Sequence, residues 1–442
     1  MGLGSIQFLW NFNKDIILNF LPENQAALSQ AALSNEAKIQ TGAQASRFGA
    51  LDIQRGMIMM LMAFSHGREY LGGEHYSNYH LDASPAWKGD FWLDFFQQVG
   101  VSSIVAGGFF MMMGIGIYFL WQSRLKEGYP PNEVWRYLMT RGAVMLTVQF
   151  TIMAVFETIS SPHFYLYVGV LYGLGICMML AACCLRLLES IKQTAWGKAY
   201  STVDYWLPLV IAAGIIIINQ LVMLQTQAAD VSPGWGKIIL LLGGTYTING
   251  IDVDFDFMPF PWFPAVAFGL VIGKIISRRD DQSIKLLQWI AFSLLAAWFL
   301  LKTAYLQGSI SWGDYKTLVS GEHLDWRSYF CSNKYPPSLS YFLFAWGINL
   351  LGILTWFKLE NRLGHVPLLL QPLKTFGQCA LFFFVCHWYV YYLISVLLPA
   401  RLTSAGGLLG FWLIGLLLLY PACYFYRNFK MTKPKASLWR MF

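Results

Sequence analysis

Long and nearly unbroken apolar stretches constrain the fold of this 442-residue chain more than any other feature. A helix needs about 20 apolar residues to cross a hydrocarbon core of about 30 Å, and ten stretches approach that length. Strands of a membrane barrel alternate in hydrophobicity, whereas IAAGIIIIN and LLGFWLIGLLLLY are almost continuously apolar, so a barrel is excluded. The predicted spans cover residues 49–67, 99–121, 138–157, 164–185, 206–225, 261–276, 287–305, 337–357, 376–399 and 405–426.

Composition and charge define the class of protein and its orientation. Hydrophobic residues make up 56% of the chain and charged residues 12%, which predicts an all-α fold, a polytopic membrane helical bundle of about ten transmembrane helices. Most of the 31 Lys and Arg residues fall in the loops on one side, together with both ends of the chain. Because basic loops stay in the cytoplasm, both termini are predicted to be cytoplasmic. The net charge of +7 follows from this bias, so membrane lipid is an expected partner and nucleic acid is not.

The chain divides into three predicted parts. Residues 1–47 comprise an interfacial amphipathic helix at 5–21 and a polar linker, 48–430 form the transmembrane domain, and 431–442 form a basic cytoplasmic tail. The N-terminal segment lacks a signal-peptide pattern, and the expected location is a bacterial inner membrane. The seven cysteines lie mostly in predicted spans and predict no disulfide framework, and no His, Cys and carboxylate spacing predicts a metal site.

Three ionisable residues in the first predicted span are the strongest functional signal. Charged groups inside a membrane helix are costly, yet LDIQRGMIMMLMAFSH contains Asp52, Arg55 and His66. At about 100° per residue, His66 returns to within roughly 20° of the face of Arg55, and Asp52 lies within about 60° of it. If this helix begins on the cytoplasmic side, His66 lies at its outer end, and Arg55 lies about 16 Å closer to the cytoplasm along the helix axis. One helix face could therefore connect the two sides of the membrane.

These residue types admit two interpretations. A neutral imidazole near the outer mouth could take a proton from an amine or hydroxyl during acyl transfer, while Arg55 binds an anionic group. Alternatively, Asp52 and Arg55 form a structural ion pair with a snorkelling head group, and His66 is an interfacial residue. The residues alone leave both interpretations open.

The same stretch resembles the first-helix signature of the transmembrane acyltransferases, in which Arg and His are separated by ten residues, as Arg55 and His66 are here. Further stretches, in family order from about residue 47 to 395, resemble the branch typified by heparan-alpha-glucosaminide N-acetyltransferase. They are VAGGFFMMMGIGIYF, RYLMTRGAVMLTVQF, VLYGLGICMMLAA, VDFDFMPFPWFPAVAFGLVIG, NKYPPSLSYFLFAWG and FGQCALFFFVCHWYVYYL. The range from about residue 47 to 395, over which these stretches are distributed, covers most of the predicted membrane domain.

The resemblance implies an enzyme that moves an acyl group, usually acetyl, from cytosolic acetyl-CoA or another acyl-CoA to a sugar or glycan acceptor on the extracytoplasmic side. On this hypothesis His66 matches the family's catalytic base, and Arg55, with Asp52 one turn away, belongs to the same motif. Direct transfer and a covalent acyl-histidine both stay open, as does a homo-oligomer. The alternatives are a transporter, for which no internal repeat is found, and a flippase or polymerase of a lipid-linked glycan.

Five further residues are candidates for binding. Lys334 and Ser338 belong to KYPPS, where prolines favour a helix start that could bind the donor's anionic groups, or simply stiffen the entry to the eighth span. Arg141 could meet coenzyme A phosphates or snorkel to lipid phosphate. His387 lies mid-span and is expected to have a hydrogen-bonding partner, in the active site or in a structural role. His163, in an outer segment, could contact the acceptor.

Overall fold

A computed structural model describes a large part of the chain. The described residues are 49–71, 95–160, 165–194, 197, 202–228, 241, 243–278, 280–309, 329–330, 332–398, 405–434 and 437–441. The chain divides into two compact units, Met1–Gly49 and Ala50–Phe442, and nearly all of the described residues belong to the second. The interfacial helix predicted at 5–21 and the candidate His163 lie outside the described residues.

Helices account for most of the described residues. In chain order they are α1 (Gly49–Tyr70), α2 (Ser103–Lys126), α3 (Pro131–Val148), α4 (Ala154–Ser160), α5 (Val170–Gln193), α6 (Val203–Ala228), α7 (Pro259–Ile276), α8 (Asp281–Leu306), α9 (Leu339–Leu363), α10 (Gln371–Gln378), α11 (Ala380–Leu397), α12 (Ala405–Met431) and α13 (Leu438–Met441). A π-helical segment, Phe96–Ser102, leads into α2, and another, Gln149–Met153, joins α3 to α4. The strands are β1 (Tyr165–Val168), β2 (Gly244–Ile248) and β3 (Ile251–Phe255). The prediction of a helical fold is confirmed.

Nine helices among the described residues are long and apolar enough to cross a membrane, and they correspond to the second to tenth predicted spans. The first predicted span, 49–67, forms α1, but this helix carries Asp52 and Arg55 and is not one of the nine. The structure therefore confirms a polytopic membrane helical bundle. The crossing by α1 and the cytoplasmic position of both termini stay predictions.

Helix ends differ from the predicted spans where local chemistry stops the helix. Helix α9 begins after Ser338, whose hydroxyl accepts a hydrogen bond from the Tyr341 amide at 3.3 Å, a standard N-cap contact. It ends at Gly364, whose φ of 68° suits glycine. The predicted span 376–399 is interrupted at Cys379, which separates α10 from α11. The interruption lets α10 pack separately against α1.

A small three-stranded sheet is the part of the fold that an all-α prediction omits. Its order is β1-β3-β2, with β1 parallel and β2 antiparallel to β3. Asn249 and Gly250, both with positive φ, form the turn between β2 and β3, as expected for an Asn-Gly hairpin. The pairing puts Tyr167 of β1 beside Asp254 of β3. The sheet thereby brings tyrosines and carboxylates together at one place.

Helix α1 is held by very close packing and by buried polar contacts. A Cβ atom on Gly56 would lie 1.8 Å from the Leu373 carbonyl oxygen, and one on Gly377 would lie 1.9 Å from the Asp52 carbonyl oxygen. The Gln54 amide donates to Asn349 Oδ1 at 2.9 Å and accepts from the Trp356 indole at 2.8 Å. Helix α1 therefore packs backbone to backbone on α10 and is hydrogen-bonded to α9.

Candidate active site

A cavity of about 400 Å³ lies at the end of α1 that carries His66. Its walls come from α1, the π-helical segment before α2, the α3–α4 region, the sheet, the segment before α9, and α11. They include His66, Gln97, Glu157, Asp254, Lys334 and Trp388. Residues far apart in the chain therefore meet around one cavity, as in most small-molecule sites.

His66 is fixed in the cavity wall by contacts with α11. Its Nδ1 lies 2.7 Å from Nε2 of His387, and its ring stacks on Trp388 with a centroid separation of 4.0 Å. His387 is fully buried behind it. The prediction that His387 has a hydrogen-bonding partner is confirmed, and that partner is the candidate catalytic residue.

The partners of the two histidines determine their tautomers. His387 Nδ1 lies 2.5 Å from the Phe384 carbonyl oxygen and 3.2 Å from that of Phe383. Carbonyl oxygens only accept, so Nδ1 carries the proton and Nε2 of a neutral His387 carries a lone pair. His66 must then donate from Nδ1, which leaves the lone pair of His66 on Nε2. The pair of histidines thus gives His66 one defined basic nitrogen.

The cavity is rich in carboxylates. Among the described residues that line it, the acidic side chains are Glu69, Glu157, Asp254 and Asp256, and the basic ones are Arg68 and Lys334. The Tyr165 hydroxyl donates to Glu157 at 2.5 Å, and the Tyr167 hydroxyl donates to Asp256 at 2.9 Å. An excess of acidic groups in a cavity attracts a cation and disfavours an anion.

The model of the heparan-alpha-glucosaminide N-acetyltransferase catalytic family matches residues 47–307, which is more than half of the chain. The chain belongs to this family. A search of curated proteins finds no match. The matched residues include α1 with His66, the π-helical segment, the sheet and α7, whereas His387 and Lys334 lie beyond them. Family membership indicates a membrane N-acetyltransferase.

Lys334 lines the same cavity as His66 in this acetyltransferase-family chain. Its Nζ lies 4.8 Å from the centroid of the Tyr335 ring. Burial lowers the pKa of Lys334 to about 8, partly opposed by the charges of Asp256 and Glu69. The sequence hypothesis that Lys334 binds the donor stays a prediction.

The lowered pKa of Lys334 predicts a pH-dependent stability. The charged form is disfavoured in the folded protein, so stability is gained as pH rises through about 8 towards the ordinary lysine value of 10.5. Lys334→Met should therefore raise Tm at pH 7, where the wild type must keep a partly buried charge, and change it less at pH 9.5. Thermal unfolding in detergent at the two pH values measures this. An equal change at both values would contradict the lowered pKa.

Asp52 and Arg55 lie outside the cavity lining and join α1 to α10. Arg55 Nη1 is 3.5 Å from Asp52 Oδ1 and donates to the Gly377 carbonyl at 3.2 Å. Asp52 Oδ2 accepts from the Gln378 amide at 2.9 Å. These contacts support the structural interpretation of the pair, and its part in catalysis or donor binding stays a prediction.

The Arg55→Ala substitution tests the contacts that Asp52 and Arg55 make between α1 and α10. Loss of the guanidinium leaves the buried Asp52 carboxylate with fewer donors, so we expect a lower Tm, lower affinity for acetyl-CoA, or both. Thermal unfolding and calorimetric titration with acetyl-CoA measure the two effects. Wild-type values for both would show that the Asp52–Arg55 pair is dispensable.

The other candidates do not line the cavity or lie outside the described residues. Ser338 is fully buried and caps α9. Arg141 belongs to α3, and its Nε is buried with no hydrogen-bond partner among the described residues. His163 falls outside the described part of the chain. Donor binding by Ser338 and Arg141 and acceptor binding by His163 stay predictions.

Several cavity residues were not singled out from the sequence. The strand that carries Asp254 could have been predicted, because TYTINGIDVDF has the alternation of polar and apolar residues and the Asn-Gly turn of a hairpin. Glu157 is a carboxylate inside a predicted span, which by itself marks a candidate site. Gln97 has no comparable signal, because its significance depends on neighbours from another helix.

Proposed function

We propose that this protein transfers an acetyl group from acetyl-CoA, which enters from the cytoplasmic side, to the amine of a sugar or glycan in the outer cavity. The single observation that carries the proposal is the oriented His66 in a carboxylate-rich cavity. Its Nε2 has the lone pair because Nδ1 donates to His387 at 2.7 Å. A base with one defined nitrogen is what proton removal from a weak nucleophile requires.

The charge of the cavity favours an amine acceptor. A sugar amine is largely protonated near neutral pH, and the carboxylates of Glu157, Asp254 and Asp256 favour an ammonium group. Nucleophilic attack needs the neutral amine, so the ammonium first gives one proton to solvent. The amine nitrogen loses a second proton as the C–N bond forms, and His66, which lines the same cavity, is the base for that proton.

The chemical step balances with His66 as the only proton carrier. The amine nitrogen attacks the thioester carbonyl carbon, forming a C–N bond, while His66 Nε2 takes a proton from the nitrogen. The C–S bond then breaks, and the departing thiolate of coenzyme A takes the proton from His66, giving a free thiol. His387 accepts the hydrogen bond from His66 Nδ1 throughout and stabilises the charged ring.

A covalent route uses the same nitrogen in two steps. His66 Nε2 first attacks the thioester carbonyl carbon and releases the thiolate. The amine then attacks the acetyl carbon on the ring, the bond to Nε2 breaks and regenerates His66, and the thiolate takes the proton that the amine nitrogen loses. Incubation with labelled acetyl-CoA in the absence of acceptor distinguishes the routes. Label retained on intact protein and lost in His66→Ala supports the covalent route, whereas no label on an active protein supports direct transfer.

The experiment that tests the proposal measures acetyl transfer by the full chain in nanodiscs. Acetyl-CoA is combined with glucosamine or glucose, which differ in carrying an amine or a hydroxyl at C2. Release of free thiol and formation of N-acetylglucosamine with glucosamine, and not with glucose, would support an N-acetyltransferase. Proteoliposomes with glucosamine inside and acetyl-CoA outside test transfer across the membrane. Absence of both binding and transfer in folded protein would overturn the proposal and favour a transporter or a flippase or polymerase of a lipid-linked glycan.

A further inference from the structure

The π-helical segment Phe96–Ser102 contributes the buried amide side chain of Gln97 to the cavity wall. Gln97 lies in its first turn, lines the cavity, and is only 3% exposed. Wide π-helical turns redirect side chains and are frequent at functional sites. A buried amide in this position needs hydrogen-bonding partners for both of its ends.

Only one end of the Gln97 amide is satisfied within the described chain. Its Nε2 donates to the Ser65 hydroxyl at 2.7 Å, and this bond holds the amide in place. Its Oε1 is buried and has no hydrogen-bond partner among the described residues. A buried carbonyl oxygen without a donor is costly, so the oxygen is suited to a donor that arrives with a ligand.

A second buried polar atom points to the same type of ligand. The indole Nε1 of Trp388, which stacks on His66 and lines the cavity, also has no hydrogen-bond partner in the described part of the chain. Gln97 supplies an acceptor and Trp388 supplies a donor. Hydroxyl groups can both donate and accept, so a polyhydroxylated ligand satisfies both side chains.

The bond to Ser65 places Gln97 beside the reacting group. Ser65 and His66 are consecutive in α1, so their side chains point about 100° apart around the helix axis. Gln97, bound to Ser65, therefore lines the cavity next to the position of His66 on α1. On a sugar ring the neighbour of an amine-bearing carbon carries a hydroxyl.

We propose that Gln97 Oε1 accepts a hydrogen bond from a hydroxyl of the acceptor and thereby selects amino sugars over amines without hydroxyls. The inference rests on the proposed function and names a specificity-determining residue of that site. An acceptor without the hydroxyl leaves the buried oxygen unpaired, and sites of this kind discriminate strongly. Gln97 binds and orients the acceptor and moves no proton.

The test compares glucosamine with cyclohexylamine, which presents an amine on a six-membered ring without hydroxyls. Acetyl transfer from acetyl-CoA is measured for wild type and Gln97→Met in nanodiscs. We expect kcat/KM for glucosamine to fall about 10- to 100-fold, mainly through KM, and that for cyclohexylamine not to fall, because methionine removes the oxygen that this amine leaves unpaired. Gln97→Glu, which keeps an acceptor oxygen, should retain the preference for glucosamine. Equal losses for the two acceptors, or no loss for either, would overturn the inference.

A binding measurement separates this inference from the proposed function. N-acetylglucosamine should raise Tm of wild type more than that of Gln97→Met, because only the wild type can accept its hydroxyl. Equal shifts in the two proteins, including none in either, would overturn the role of Gln97. A differential shift without acetyl transfer by wild type would support Gln97 and count against the proposed function alone.

Discussion

His66→Ala is expected to lower the rate of acetyl transfer by about 10²- to 10⁴-fold, the range typical of a general base. Alanine removes Nε2 of His66, which carries the lone pair because Nδ1 donates its hydrogen bond to His387. Acetyl-CoA should still bind to the variant. The rate of thiol release with glucosamine measures the loss of activity, and calorimetric titration with acetyl-CoA measures binding. Tm of the variant shows whether the bundle is intact.

His387→Ala is the informative companion to this variant. It leaves His66 in the cavity wall but removes the acceptor that orients its Nδ1. We therefore expect a smaller loss than for His66→Ala, with kcat affected more than KM. If His66→Ala kept wild-type turnover in a folded sample, His66 would have no catalytic role.

Gly56→Ala is expected to destabilise the protein by about 1–3 kcal/mol or more, the cost of overpacking a tight contact. The added Cβ would lie 1.8 Å from the Leu373 carbonyl oxygen, and a backbone atom cannot rotate out of the way. Helices α1 and α10 would have to separate, which would also displace the Asp52–Arg55 contacts. The yield of monodisperse protein and Tm in detergent measure the effect.

Gly214→Ala provides the matched control, because the same substitution in α6 would place its Cβ in open space. Alanine favours a helix interior over glycine, so this variant should be as stable as wild type or slightly more stable. Equal Tm values for Gly56→Ala and Gly214→Ala would show that α1 and α10 are not packed backbone to backbone.

The apolar stretches predicted nearly all of the long helices, because a membrane helix satisfies its backbone hydrogen bonds within a single segment. The exceptions have local or tertiary causes. Cys379 divides a predicted span where α10 turns to pack on α1, and residues 165–168 leave a predicted span to pair with β3. Strand pairing depends on a partner distant in the chain, which the hydropathy of one segment does not reveal.

The candidate site was predictable only in part, for the same reason. The cost of a charged residue inside a membrane, together with the family resemblance, pointed to His66 within one helix. The acceptor of its Nδ1 hydrogen bond is 321 residues away, and nothing in the spacing of α1 identifies His387 in that role. Gln97 becomes a candidate only in the folded protein, where its Nε2 donates to Ser65 and its buried Oε1 has no partner among the described residues.

The sequence by itself determined the class of protein, its membrane helices, its family and the histidine at the centre of the proposed chemistry. These properties are local, since they follow from hydropathy, residue type and short motifs read along one segment. Only the tertiary structure decided which nitrogen of His66 is basic, which carboxylates line its cavity, and which buried amide oxygen in the cavity wall has no partner among the described residues. Those properties depend on contacts between segments far apart in the chain, where hydrogen-bond geometry and burial act in three dimensions.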